Sequence, residues 1–571
     1  MDQATQRPRF RTDVAMGVLL AWGVCALLYL DVAARLEAGA SDGLAAWLRA
    51  ATRGGVISPL DAWASAMRRL ACAVTLVSLP FVFPAMWRDR RALAARVVGE
   101  STKETVAFLR IVVATILLVT TFVEDLPSVA RLPASAARPK GVMLLVLGIP
   151  GVADAARSPA VLQGLVWGTR GLLGLSLLGL GGRRMVLTAA VSTFLFGGLL
   201  RTYANAFHAG LLPIWLLLVL ACFRCTDAWS LDAWQSGPPQ WASSGERRAH
   251  YGWARYTFFG VLSLAYVAAG ASKLFNGGPW WWEPDNLRVI LAMDALNPME
   301  LPFRVGLPMA TGPAWPLALL GLAAVLTELG MLGMLFSQRA RWVMPAAMLA
   351  THVGIAVMQN VLFADLILVL GLYYAQVLTD RCSPCASTFL RRRTAPDVES
   401  PDGSADGHVI TLGAPSGSAR DTRPFMAFAS VFLVANLAGV EFYPLTGMQM
   451  YSRRNHDGVV RYNRIVTVDD RGREREALPQ QWVRALRDSR CRFHLHRCFG
   501  EGDDGLACDD FMRGFAHHLE TTGTPDANHV VALEVQEWRW SIRDHRDDPD
   551  HGAVSSRVRI PIVGRRVAHA P

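Results

Sequence analysis

The feature that most restricts this chain is a succession of apolar runs, near residues 14–34, 68–87, 105–123, 161–181, 185–201, 209–223, 255–274, 313–336, 342–358, 361–378 and 425–443. A helix rises about 1.5 Å per residue, so about 20 apolar residues cross the hydrocarbon core of a bilayer. Of the 571 residues, 52% are hydrophobic and 18% charged, whereas a soluble domain is about a quarter charged. The sequence predicts an all-α polytopic membrane helix bundle of about 9–11 transmembrane helices. A small C-terminal α+β extramembrane domain follows it.

Charge sets the orientation. The formal net charge of +10 reads as arginine held in cytoplasmic loops rather than as a nucleic-acid surface, and no nucleic-acid partner is expected. Basic residues precede Val14 and cluster at Arg88, Arg90, Arg91 and Arg96, at Arg183 and Arg184, at Arg224, Arg247 and Arg248, at Arg339 and Arg341, and at Arg391, Arg392 and Arg393. With every cluster cytoplasmic, the spans between them alternate without conflict. The first run lacks a small-x-small cleavage site and reads as a membrane helix rather than a signal peptide. The expected order is a cytoplasmic N-terminus (1–13), a transmembrane bundle (14–378), a disordered cytoplasmic linker (379–423), a last helix with its exit segment (424–450) and an external domain (451–571). This describes a multi-pass protein of the inner or plasma membrane, with membrane lipid as its first partner and its C-terminal domain external or periplasmic.

Within the external domain, Val459–Ile465 and Val531–Val535 read as strands, and Gln480–Asp488 and Asp510–Glu520 as short helices. Cys491, Cys498 and Cys508 permit one disulfide with one thiol left over. Cys222, Cys225, Cys382 and Cys385 have the spacing of a four-thiolate zinc site, but one of them still lies in an apolar helix, and no metal is expected. The apolar piece Gly141–Pro150 is too short to span and reads as re-entrant or interfacial. Gly164, Gly168, Gly171 and Gly174 read as a close-packing face.

Ionisable groups inside apolar runs need partners and often mark function. Arg110, Arg170, Glu328, His352 and Asp365 are such groups. The first three read as members of buried ion pairs, and His352 and Asp365 as hydrogen-bonding across a helical hairpin. Lys273 differs: it ends an apolar run, ahead of Gly277, Gly278 and Trp280, Trp281 and Trp282. Such a lysine either snorkels to the headgroups or is withdrawn from water as a base or nucleophile. Charge places it on the outer face at the level of His208, in a polar turn with Arg201, Tyr203 and Asn205. An imidazole there can assist a developing oxyanion. On the second reading, Lys273 and His208 are the catalytic groups of the expected site.

Several of these segments resemble the horizontally transferred transmembrane (HTTM) family, to which the vitamin K-dependent gamma-carboxylase belongs. Tyr266 to Leu274 is similar to the family's Tyr-x-x-x-Gly-x-x-Lys-Leu with tryptophan downstream. Asn205 to His208, ahead of Ala228 to Asp232, resembles its Asn-His turn and Trp-Ser-x-Asp strip, although Phe207 here precedes the histidine. Glu328 with Arg339 or Arg341, then Thr351, His352 and Phe363, and finally Tyr443 to Ser452, resemble later parts of the pattern, so that the likeness runs over about 185–452 with its core at 185–378. The resemblance implies a carbon–carbon lyase of carboxylase or epoxidase type. In it, a reduced, vitamin K-like quinone with O2 and CO2 serves as cofactor and co-substrates, Lys273 is the base and His208 assists carboxylation. Asn205, Tyr203, Arg201, Trp280, Trp281, Glu328 and His352 support them, and Trp280, Trp281 and Trp282 wall the quinone ring. The implied partner is a secreted peptide or protein modified at the outer face. Two other readings are a non-enzymatic maturation or immunity factor that binds such a peptide, and a secondary transporter, for which inverted repeats are not visible.

Overall fold

A computed structural model of the chain describes residues 12–40, 42–52, 59–60, 62–67, 69–70, 74, 97–203, 210–236, 248–278, 280–297, 301, 303, 305–376, 419–437, 441–442, 445–446, 455, 457–486, 489–500, 503–522, 530–548 and 550–562. Asn205 and His208, most of the 68–87 run, the linker as far as 418, and Cys72, Cys382 and Cys385 lie outside the described residues.

The molecule is a helical bundle joined to a small antiparallel sheet domain. Among the described residues, six helical stretches are long and apolar enough to cross a membrane: Lys103–Arg131, Pro159–Leu178, Gly182–Tyr203, Ala249–Gly277, Ala314–Leu335 and Gln338–Gln359. Leu211–Ala221 and Ala364–Gln376 are shorter apolar helices. The expected runs 14–34 and 425–443 fall in helices Thr12–Glu37 and Ala419–Leu437. Local chemistry sets the ends. Thr102 caps Lys103–Val123 by accepting from the Thr105 amide, Pro159 opens its helix at the first position and Gly179 closes it at φ 68°. Ser337 accepts from the Ala340 amide, and Asn360 in the left-handed region ends Gln338–Gln359.

Ala249–Gly277 forms the axis of the bundle. Of its apolar window 72% is buried inside the molecule, against 33% for Ala314–Leu335 and 22% for Gln338–Gln359, so the last two are peripheral. The axial helix packs against Leu211–Ala221, Ala314–Gly330 and Ala419–Leu437, and Asn436 Nδ2 donates to the Ala268 carbonyl at 3.0 Å. Gly164, Gly168, Gly171 and Gly174 meet nothing: a Cβ added at any of them has open space. They form an outward face, not the close-packed one expected. Arg110 and Arg170 likewise find backbone carbonyls instead of carboxylates, those of Trp229 (2.6 Å) and Thr121 (2.7 Å), and Arg170 also lies 4.0 Å over the Phe122 ring.

In the sheet domain the strand order is Glu474–Glu476, Val459–Asp469, Val530–Ser541, Ala553–Pro561, antiparallel throughout. One face, with Ile465, Leu533 and Val535, meets Trp482, Phe511 and Phe515 in a core that continues into Phe196, Leu199 and Tyr203 of the bundle. The other face, with Val460, Tyr462 and Trp540, packs on Leu287 and Leu291 of helix Pro284–Leu296. The two long strands were visible in the sequence, and Asp510–Glu520 lies within helix Asp503–Thr522. The expected helix Gln480–Asp488 is only a 3-10 turn at Pro479–Gln481, and helix Ser489–Arg497 follows it. Cys498 and Cys508 form the disulfide, and Cys491, outside it, is buried.

The domain meets the ends of the bundle helices opposite their arginine ends. Gly182–Tyr203 begins with Arg183 and Arg184, and at its far end the Tyr203 carbonyl is hydrogen-bonded at 2.6 Å by His494 Nε2. Arg490 clasps Glu124, just beyond Val123, at 2.5 and 2.6 Å. Between these ends, Val142–Leu147 is a one-turn apolar helix that exposes Leu144 and Leu145.

Candidate functional site

Tyr266, Gly270 and Lys273 follow one another at i, i+4 and i+7, which places them on one stripe of the axial helix. Gly270 fixes what that stripe touches. A Cβ there would stand 3.0 Å from the Glu328 Cβ and 3.1 Å from Leu329 Cγ, closer than ordinary packing, so glycine lets the helix carrying Glu328 approach. The approach brings the Lys273 Nζ to 2.7 and 2.8 Å from the two Glu328 oxygens. Lys273 is 6% and Glu328 8% exposed, which removes snorkelling. Although Lys273 lies in the last turns of its own helix, the partner helix runs on past it. Glu328 is about 21 Å along that helix from Ala314 at 1.5 Å per residue, so the ammonium is enclosed by the bundle. The Trp281 ring, centred 5.4 Å from Nζ, roofs it with a cation–π contact.

A second polar pair stands about two turns below. Tyr266 Oη and His352 Nε2 are 2.7 Å apart, both buried, and the imidazole lies edge-on to Phe363 at 5.4 Å between ring centroids. His352 therefore pairs with a tyrosine on the axial helix and not with Asp365, the partner expected across the hairpin. The Asp365 carboxylate is instead held by backbone amides, those of Leu366 and Gly210 among them.

Both pairs line one cavity of about 450 Å³, within the range of pockets that hold small organic ligands. Its walls are largely leucine, isoleucine, alanine and methionine, and its polar lining comes from Tyr266, Lys273, Thr327, Glu328, His352, Gln359 and Asp365 among others. His352 Nδ1, Gln359 Oε1 and Asp365 Oδ2 find no hydrogen-bond partner among the described residues. Buried polar atoms in that condition are costly, so the cavity is a place where polar chemistry is held ready inside an apolar wall.

Of the residues singled out from the sequence, Lys273, Glu328, His352, Asp365 and Trp281 come together here. Trp280 is 45% exposed, and neither it nor Trp282, whose backbone packs against Gly321, lines the cavity; the tryptophan wall is Trp281 alone. Arg201 stays at the edge, donating to the Gly197 carbonyl and lying near Gly210, and Tyr203 belongs to the core shared with the sheet domain. Sequence reasoning missed Tyr266 as a hydrogen-bonding group and missed that Lys273 and Glu328 are a pair. The available signal was that they are lone opposite charges in two apolar runs. Among the described residues no group of three or more His, Cys, Asp and Glu is placed to hold a metal ion. Comparison with protein-family models, with curated proteins and with solved structures finds no match to this chain.

Proposed function

We propose that this chain is a membrane enzyme that deprotonates a lipid-soluble hydroquinone in the Lys273 cavity and couples that step to modification of a secreted peptide, as its resemblance to the HTTM family suggests. The observation that carries the reading is the placing of a buried lysine–glutamate pair and a buried tyrosine–histidine pair on the wall of one apolar cavity. An apolar wall suits a ring drawn from lipid, and convergent polar groups suit its hydroxyls.

An ammonium has no lone pair, so Lys273 becomes a base only after passing a proton to Glu328 at 2.7 Å. The neutral amine then takes the ligand's hydroxyl proton, and the ammonium so regenerated faces the phenolate it has produced. When Tyr266 donates to His352 Nε2, the imidazole proton stands on Nδ1, which makes this cavity-lining residue a donor. A bound hydroquinone would supply the reducing equivalents that the coupled oxidation by O2 requires. The sheet domain, locked to the same end of the bundle, provides a surface for a peptide.

Purified protein in lipid nanodiscs, given reduced vitamin K, is expected to consume O2 and form the epoxide, and Lys273→Ala to lower the rate by at least about 100-fold. Folded protein that turns over none of several hydroquinones would sink the reading. The non-enzymatic alternative is favoured by the core that domain and bundle share; under it, Lys273→Ala leaves the cellular phenotype intact while truncation after Ser452 abolishes it.

A further inference from the structure

The cavity has a mouth, and its position says what kind of molecule passes through. Among the described residues that line the cavity, Ala323 and Ala350 are the most exposed. A residue that faces both the void and the exterior marks an opening. These two belong to the adjacent peripheral helices, Ala314–Gly330 and Gln338–Gln359, and each lies near the middle of a stretch apolar enough to span a membrane. The surface around the opening is hydrocarbon: Leu319 and Leu326 on one helix and Val353 on the other are more than half exposed. The small side chains of Ala323, Ala324, Ala347, Ala350 and Gly354, all lining the cavity, leave the space between the two helices unfilled. At its inner end stands His352, 3% exposed, with Nδ1 lacking a partner among the described residues.

We infer that the gap between Ala323 and Ala350 is a lateral portal to the bilayer, and that the ligand carries a hydrocarbon tail which lies in this portal while its polar ring or head reaches Lys273 and His352. A water-soluble ligand would have to cross the hydrocarbon layer to reach a mid-span opening, whereas a tailed lipid is already there. Lipid chains are as apolar as the leucines of the wall, so the tail gains little by leaving one for the other. It orients the ligand, and affinity falls to the ring and to the polar groups. This deepens the hydroquinone reading by requiring a tail, and it rests on that reading only for the identity of the ring.

The test uses the full chain in phosphatidylcholine nanodiscs containing palmitic acid with a diazirine near its carboxyl end, photolysed and mapped by mass spectrometry. Ile290 and Leu291 line the cavity and are 2% and 1% exposed, so a bilayer chain reaches them only through a portal. Adducts are expected on these two residues, reduced at least tenfold in A323W/A350W. They should be unchanged in L319W, which adds the same indole outside the mouth. Adducts confined to outward residues such as Leu319 and Leu326, or undiminished in a folded A323W/A350W, would overturn the portal. Should the double variant fail to fold, competition in the wild type replaces it: menaquinone-4, with a tail, suppresses the Ile290 and Leu291 adducts, and equal suppression by tailless menadione overturns the proposal. Labelling that behaves as expected in a protein that turns over no hydroquinone leaves the portal standing and removes only the reaction.

Discussion

Two carboxylates in this molecule are each clasped at both oxygens by a cation from a distant segment, and the two clasps have different surroundings. Arg490 holds Glu124 at 2.5 and 2.6 Å and uses a further hydrogen bond on the Ala485 carbonyl at 3.0 Å. It ties the sheet domain to the end of a bundle helix. Lys273 holds Glu328 at 2.7 and 2.8 Å, but that pair faces a cavity whose other polar groups keep open valences. Geometry of the bond alone does not separate structure from chemistry; what lies beyond the bond does. An arginine spends its planar fork on fixed partners, while a lysine amine can take and return a proton.

Breaking the cavity pair should have the largest effect. Lys273→Met leaves a carboxylate buried without its cation, which costs about 3–5 kcal/mol, whereas replacing both partners by apolar side chains of similar volume is close to neutral. The K273M/E328M double variant is therefore expected to recover most of the thermal stability lost in K273M and none of the activity. Melting curves in detergent beside a turnover assay check this. A double variant as unstable as K273M would mean that the pair is needed for packing, and would place it with Arg490 and Glu124.

The domain interface offers the second break, by pH. His494 is 2% exposed, and burial pulls its imidazole down to about 4 from an ordinary 6.5, with the neighbouring Arg497 pulling in the same direction. As pH falls, the unfolded chain takes up the proton first, so the folded state loses stability through the window from about 6.5 down to about 4. The limit of that loss is about 3 kcal/mol, from about 1.4 kcal/mol for each unit. Thermal unfolding at pH 7.5 and at pH 5 should show a drop that is absent in His494→Gln. An equal drop in that variant would assign the pH dependence elsewhere.

How much of this was legible in the sequence follows the same division. The spans were legible because hydrocarbon demands length, and Lys273 because a charge at the end of an apolar run stands out, although sequence alone left snorkelling open. The strand Val459–Asp469 announced itself through β-branched residues. What packs against what was hidden, because in a membrane helix the outward face is as apolar as the buried one. Gly164 to Gly174 look like a packing stripe and face open space, while the single Gly270 decides the approach of Glu328. His352 was paired with Asp365 across the turn around Gln359 and Asn360, when its partner sits on another helix, 86 positions away. Where Gln480–Asp488 was expected as a helix, the described residues form a 3-10 turn at Pro479–Gln481, and helix Ser489–Arg497 follows.

The smallest expected effect sharpens the comparison from the structural side. Arg490→Met removes a charge-assisted clasp that is partly open to solvent, at 15% and 18% side-chain exposure for its two partners, and hydrogen bonds to charged groups contribute about 1.5–3 kcal/mol. Solvent screening and the remaining contacts at the seam, such as Ser128 Oγ accepting from the Ala485 amide at 3.0 Å and Arg131 donating to the Trp482 carbonyl at 2.9 Å, argue for the lower end of that range. The variant should therefore lower the melting temperature modestly and speed proteolysis of the sheet domain. It should leave photolabelling of Ile290 and Leu291 unchanged, because the walls of the cavity come from the bundle. The double variant R490M/E124M should recover less than K273M/E328M does, since a half-open pair has less desolvation to give back. If R490M instead abolishes labelling of the cavity, the two clasps are coupled, and the domain seam helps to set the shape of the site.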